Sequence, residues 1–273
     1  MIIINKHIAD EYLSILGLPI RKPDMEYLRE LNYNHLTKIP FENISKLYYK
    51  KKFNLNFIPD FEKYLEGIKV HHLGGTCYSN NYYFYQLLQY LGFDIILCGA
   101  DMTNPDVHII SIVKIEGEQF IVDVGNAGPF FEPMPLGLSY DYIINFGIEK
   151  YILHPKDSKG FSRLDQYKDN QIVHGYTIKP IARSFSEFNN VIESSFSADA
   201  TFMNNILIVL FGNHSSRMIN NLSLIEVNKD KVQKRKLGNR QELISEIEKT
   251  FGISKEITKE AISGISNFEE AWH

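Results

Sequence analysis

The chain has 273 residues and a formal net charge of −4, room for one large domain or two or three small ones with real cores. A net negative balance argues against a general nucleic-acid binder, and two cysteines, Cys77 and Cys98, are too few for a disulfide framework or a zinc site. No apolar run approaches the roughly 20 residues of a membrane span, and Met1-Ile2-Ile3-Ile4 passes at once into polar residues. The expectation is a protein of the reducing cytoplasm, with no metal and no membrane or nucleic-acid partner.

Residues 7–92 read as helical. Ile8, Tyr12, Ile15 and Leu16 form one apolar stripe, closed by Gly17 and Pro19. Asp24 can cap a second helix with Tyr27, Leu28 and Leu31, and Asp60 a third with Phe61, Tyr64, Leu65 and Ile68. The fourth follows His72-Leu73-Gly74-Gly75-Thr76-Cys77. Its glycine pair permits backbone angles that other residues avoid, hence a sharp turn into the helix. Thr76 is an N-cap candidate, and Phe84, Leu87, Leu88 and Leu91 run at helical spacing to Gly92. Cys77, Asn81, Phe84 and Leu88 then share one face. A helix N-terminus favours the anionic form of a thiol, although a free cysteine there also fits the reading of a small buried hydrophobe.

After Gly92 the period changes from 3.6 to 2. Residues 95–100 read as a strand and Thr103-Asn104-Pro105-Asp106 as a loop. Two alternating runs, 107–115 and 118–124, are joined by Glu116-Gly117, a two-residue hairpin signal. That turn sets Ile115 opposite Glu118 and His108 opposite Gly125, which places His108 and Asp123 on one sheet face as diagonal neighbours. A lone histidine or aspartate in a strand is usually only hydrogen-bonded. A same-face pair downstream of a helix-start cysteine is harder to dismiss, because cysteine nucleophiles use an imidazole to take the proton and a third group to orient it.

Farther on, residues 125–131 read as a flexible turn, 140–180 as further strands, and Ser184 with Glu187 as a capping box opening a short helix. Residues 206–211 and 222–227 read as strands. Asn239 opens a last helix carrying Leu243, Ile244, Ile247 and Phe251, ended by Gly252. The basic clusters 50–52 and 231–236 read as solvated faces, the latter as a turn.

These segments resemble the arylamine N-acetyltransferase family along nearly the whole chain. His35 with Ile39-Pro40-Phe41-Glu42-Asn43 is similar to its "H…[IV]PFEN" signature, and residues 73–81 to its "RGGxCxExN" motif with Cys77 at the nucleophile position. His108 followed by Asp123-Val124-Gly125 resembles its "H…DVG" segment. Residues 195–202 resemble its serine-rich stretch ending in phenylalanine, here Phe202, near the active cleft. The resemblance implies an α+β fold in three parts: a helical bundle carrying the cysteine (1–92), a β-barrel-like domain carrying histidine and aspartate (93–195), and an α/β lid (196–273). It implies a ping-pong reaction in which Cys77, aided by His108 and Asp123, takes acetyl from acetyl-CoA and gives it to an arylamine, hydrazine or hydroxylamine. It further implies coenzyme contacts at Thr103, Asn104 and Phe202, and acceptor contacts at Asn126, Gly128 and Phe130.

The sequence departs from the family pattern at Leu73, where arginine is usual, and at Ser79, where glutamate is usual. Glu42 then lacks its expected cation, leaving His72 as a substitute or partial protonation as the answer. Alternatives within the architecture are an amide synthase of natural-product assembly using the same triad, or a catalytically retired binding protein. A transglutaminase-like or papain-like hydrolase shares the residue order but fits the flanking motifs poorly.

Overall fold

The computed structural model describes residues 4–229 and 231–265. Capping chemistry sets the first helices. In α1 (Lys6–Leu16) Asn5 accepts the Ile8 N–H and Gly17 ends the helix at φ 68°. In α2 (Met25–Lys38) Asp24 accepts the Tyr27 N–H. Between α2 and α3 (Ile44–Phe53) lies a two-residue strand, β1 (Phe41–Glu42). Asp60 caps α4 (Phe61–His71) through Lys63 N, and α5 (Cys77–Tyr90) follows. Helix α3 is a fifth helix in the stretch read as helical, where the sequence marks four: its three consecutive lysines leave no clear apolar stripe. Thr76 does occupy the N-cap of α5, but its side chain makes no capping bond; Ser79 Oγ instead donates to the Thr76 carbonyl.

The central segment supplies β2 (Asp94–Asp101), β3 (His108–Ile115), β4 (Glu118–Val122), β5 (Met134–Leu136), β6 (Tyr142–Phe146), β7 (Glu149–Leu153), β8 (Ser162–Lys168) and β9 (Gln171–Ile178). They form one antiparallel eight-stranded sheet in the order β5-β4-β3-β2-β9-β8-β7-β6, curled like a barrel. Its interior packs Cys98, Ile110, Phe130, Tyr151 and Tyr176. The β3–β4 hairpin has the register its turn demands, Ile115 opposite Glu118, with Glu116 and Gly117 both at positive φ.

A 3₁₀ turn (Phe185–Phe188) with its Ser184–Glu187 capping box leads into short helices α6 (Asn189–Ser194) and α7 (Thr201–Asn204). The chain then forms β10 (Leu207–Gly212), β11 (Ser215–Asn220), β12 (Ser223–Asn228) and β13 (Lys231–Lys236), followed by α8 (Arg240–Phe251) and α9 (Lys255–Ile262). The basic run 231–236 is therefore an edge strand, not a turn. Every residue of it is exposed, and cationic side chains on an edge discourage pairing with other chains. The second sheet runs β1-β10-β11-β12-β13, so two residues from the N-terminal part complete a sheet made otherwise of late strands. Helices α3, α8 and α9 cover it with an apolar cluster that includes Ile44, Leu73, Ile208, Ile247 and Ile262.

Candidate active site

Three distant pieces of chain meet at the turn before Cys77. Gly74 and Gly75 have ordinary negative φ, so they are glycines for close approach and not for a left-handed bend. A Cβ on Gly74 would lie 1.9 Å from the Pro40 carbonyl oxygen, and one on Gly75 2.0 Å from Ser79 Oγ. Glu42 fastens this turn: its carboxylate accepts Gly74 N at 2.9 Å and Ser45 N at 2.8 Å. Burial pushes the Glu42 carboxyl up, against the pull of those N–H donors. His72 is not its partner. That residue ends α4 at φ 55°, with its ring against Gly252. Backbone donors answer Glu42, and Leu73 packs into the apolar cluster under α3 instead of supplying a cation. Asn43 adds a second fastening, donating to the Phe202 and Asn205 carbonyls and accepting Leu207 N.

Across from this turn, the β3–β4 hairpin brings its own pair. His108 Nε2 lies 2.8 Å from Asp123 Oδ2 and both side chains are buried. Tyr176 donates its hydroxyl to the same oxygen at 2.7 Å, and Asn81 Nδ2 donates to Oδ1 at 2.8 Å. Gly125 N adds a bond to Oδ1 at 3.2 Å. The carboxylate is thus held by four donors that fix its orientation. Burial raises the Asp123 pKa, but His108, Asn81 and Tyr176 outweigh it, and the net shift is downward.

Burial likewise opposes a charged His108, yet the Asp123 carboxylate and the nearby Cys77 sulfur override it and raise the imidazole to about 10. Nδ1 of His108 is buried with no hydrogen-bond partner among the described residues, and the Cys77 sulfur is near enough to help raise the imidazole. Cys77 is 8% exposed, its sulfur 3.9 Å from the Val107 carbonyl oxygen. Gly125 allows the helix this close: a Cβ there would stand 2.8 Å from Cys77 Cα.

A family profile described as N-acetyltransferase matches residues 24–260. The chain belongs to the arylamine N-acetyltransferase family. It is 27% identical to proansamycin X synthase of Amycolatopsis mediterranei over 183 residues, 64% of this chain and 68% of that protein. It is 26% identical to the arylamine N-acetyltransferase pineal gland isozyme NAT-3 of Gallus gallus over 171 residues, 59% of this chain and 56% of that protein. The match thus spans little more than half of the second relative's length. The fold is that of the arylamine N-acetyltransferase of Mycobacterium marinum in complex with CoA, with TM-score 0.78 at 17% identity, covering 94% of this chain and 99% of that one.

The other residues singled out from the sequence differ in burial and in what they touch. Thr103 and Asn104 sit on an exposed loop just before His108, and Asn104 O accepts Met102 N at 3.2 Å. Phe202 is half-buried, edge-on to Phe41 at 5.9 Å. Asn126 is half-buried and Gly128 buried on the loop after Asp123. Phe130 is 1% exposed, inside the barrel against Tyr151, so its ring is turned away from any cleft. Its neighbour Phe131 faces outward with Tyr33 at 5.8 Å. Both Phe131 and Tyr33 line a groove of about 470 Å³ together with Arg29, Tyr142 and His214, within the usual size range of ligand pockets.

Two residues that hold the site were not singled out for it from the sequence. Asn81 had one usable signal, its position one turn after Cys77 on the same face. Tyr176 had none: a tyrosine in a strand far from Asp123 in sequence carries no mark of the carboxylate it will meet. Among the described residues, no group of three histidine, cysteine, aspartate or glutamate side chains is placed to hold a metal ion, and no helix is long and apolar enough to cross a membrane.

Proposed function

We propose that the protein transfers an acyl group from a coenzyme A thioester to an amine, in two half-reactions through Cys77. One observation carries this reading: a carboxylate pinned by four donors holds the His108 ring by Nε2 while the opposite nitrogen, Nδ1, stays free beside the thiol. Nδ1 takes the Cys77 proton and the resulting imidazolium is stabilised by Asp123. The sulfur attacks the thioester carbonyl, the bond to the coenzyme sulfur breaks, and the departing thiolate receives the proton. An arylamine, hydrazine or hydroxylamine nitrogen then attacks the acyl-cysteine, His108 accepts a proton from that nitrogen, and the thiol is restored.

Acetyl-CoA is the proposed donor, supported by the coenzyme in the similar M. marinum structure. Thr103, Asn104 and Phe202 are proposed to meet the coenzyme, and Asn126 and Gly128 the acceptor, within a helical part (1–92), a barrel part (93–195) and a lid (196–273). A reducing cytoplasm would keep the thiol available. A second reading, an amide synthase acting on a larger acyl thioester, is favoured by the similarity to proansamycin X synthase. Intact mass after mixing with acetyl-CoA tests the proposal: one acetyl group should appear on Cys77 and be released by amines. Acylation only by bulky carrier-bound thioesters would favour the second reading, and no acylation by any thioester would end both.

A further inference from the structure

A buried lysine stands beside the nucleophile turn, and among the described residues no carboxylate answers it. Lys46, in the first turn of α3, is 7% exposed. Its Nζ donates to Ser195 Oγ at 2.7 Å and lies 4.1 Å from the centroid of the Phe196 ring. Burial holds its pKa down at about 7; the Cys77 sulfur acts to raise it and Lys50 to lower it further, with no acidic side chain among these influences.

An uncompensated buried cation is costly, and such groups are usually paired. A hydroxyl and an aromatic face are partial substitutes that leave capacity for an anion. The space beside Lys46 says where that anion would sit. A narrow crevice of about 20 Å³ is lined by Lys46, Phe196, Thr76, Tyr78 and Ser79. Thr76 and Tyr78 flank Cys77 directly. The crevice has room for about one water or one carboxylate oxygen and none for a nucleotide.

We propose that Lys46 selects acyl donors, its ammonium receiving the terminal carboxylate of a short dicarboxylic acyl thioester, of malonyl or succinyl type, while Cys77 attacks the thioester carbonyl. The inference rests on Cys77 being the acylated residue. The covalent step is unchanged: the Cys77 sulfur–carbon bond forms, the coenzyme sulfur–carbon bond breaks, and the coenzyme thiolate leaves with the proton held by His108. The distal carboxylate stays ionised, and its charge beside the amine favours the protonated form of Lys46 against the burial that holds its pKa at about 7. The coenzyme phosphates are the other anionic groups of such a donor, but they lie far from the thioester carbon, whereas this crevice adjoins the nucleophile turn.

Intact-mass time courses with acetyl-, malonyl- and succinyl-CoA on the unmodified chain, Lys46→Met and Lys46→Arg test this. Relative to acetylation, Lys46→Met should slow the dicarboxylic acylations about tenfold or more, the loss expected for one charge-assisted hydrogen bond. Lys46→Arg should restore part of the difference. An equal slowing with all three donors would assign Lys46 to the phosphates or to packing and overturn the proposal. Acetylation without any dicarboxylic adduct would overturn it while leaving the acyltransfer reading intact. No adduct from any donor would remove both. Should Lys46→Met fail to fold, the unmodified chain decides: succinate should protect Cys77 from iodoacetamide where butyrate does not, and equal protection by both, or none, would sink the idea.

Discussion

Asn81 and Asp123 are joined by a 2.8 Å hydrogen bond from Nδ2 to Oδ1, and the same amide reaches three other backbone groups. Nδ2 also donates to the Ile109 carbonyl at 2.6 Å, while Oδ1 accepts the N–H groups of Val124 and Gly125 at 2.9 and 3.0 Å. One side chain, a single turn after Cys77, thus ties the helix to both arms of the β3–β4 hairpin. The contact sets the separation between thiol and imidazole, because the helix can move relative to the hairpin only by breaking it.

Replacing Asn81 by alanine should therefore cost both stability and rate. Each buried donor or acceptor left unsatisfied costs about 1–3 kcal/mol, and the change takes the Asn81 partner from the Val124 N–H, the Ile109 carbonyl and the Asp123 carboxylate, while Gly125 N keeps its bond to Asp123 Oδ1. A loss of at least about 2 kcal/mol in urea unfolding is expected. Acylation of Cys77 should fall further than the loss of folded protein explains. Asn81→Asp should be worse than alanine, since it sets a second carboxylate against Asp123. If Asn81→Ala acylates at the original rate once the folded fraction is corrected for, the amide positions nothing.

The two cysteines should separate cleanly. Cys98 lies in β2 inside the barrel, and burial pushes its thiol up to about 12, so it is inert at neutral pH. Cys77→Ser should abolish the acyl-thioester adduct while unfolding at nearly the same temperature. Cys98→Ala should keep the adduct, with a stability loss of about 1 kcal/mol from the small void it leaves. Alanine is the better replacement there, because serine would bury a hydroxyl in apolar surroundings. An adduct that survives Cys77→Ser at full stoichiometry would remove the proposed mechanism.

Much of this site was legible because its parts obey short-range rules. A two-residue turn at Glu116-Gly117 with alternating strands fixes which residues share a face, so His108 and Asp123 could be paired on paper. Asp24, Asp60 and Asn239 cap their helices as side-chain chemistry directs. The misses share a different cause. Gly74 is a glycine because of the Pro40 carbonyl, and Glu42 is answered by Gly74 N, contacts between segments with no local signal. Tyr176 reaches Asp123 only once β9 has paired with β2. Helix α3 buries Lys46 and exposes Lys51 and Lys52, and every residue of strand β13 is exposed, so neither carries an apolar period.

Acid should weaken the protein through His35. This residue is wholly buried, its Nδ1 3.0 Å from the Tyr12 hydroxyl and its Nε2 without a hydrogen-bond partner among the described residues. Burial lowers its pKa to about 3. The unfolded chain binds that proton near the ordinary value of about 6.5, so the unfolded state gains protons first as pH falls. Stability should then drop by up to about 1.4 kcal/mol per pH unit from pH 6.5 downward, until the folded state also takes up the proton near pH 3. His108 acts in the opposite direction. Its folded pKa is raised, so its contribution is complete below about 6.5 and is lost as pH climbs through about 10. Urea unfolding between pH 7 and 4 should show a shallower slope for His35→Gln than for the unmodified chain. Parallel slopes would mean that His35 does not govern the acid limb.

The loop after Asp123 should decide which amines accept the group. Gly128 cannot be enlarged, since a Cβ there would stand 2.7 Å from the Phe130 ring, and Phe130 itself is committed to the barrel interior. A flat acceptor approaching Cys77 along this loop therefore meets Asn126 and the glycines where an apolar wall would serve it better. Apolar contact is worth about 25 cal/mol per Å² buried, so a wall covering about 40 Å² of an aniline ring would contribute about 1 kcal/mol, roughly fivefold in turnover at subsaturating amine. Hydrazines and polar amines should thus accept the acyl group faster than simple anilines do. Asn126→Phe should raise kcat/KM for anilines by about that fivefold factor and leave hydrazine turnover nearly unchanged. An unmodified enzyme that already turns over anilines as fast as hydrazines, or an Asn126→Phe variant that accelerates both alike, would show that the loop does not form the acceptor wall.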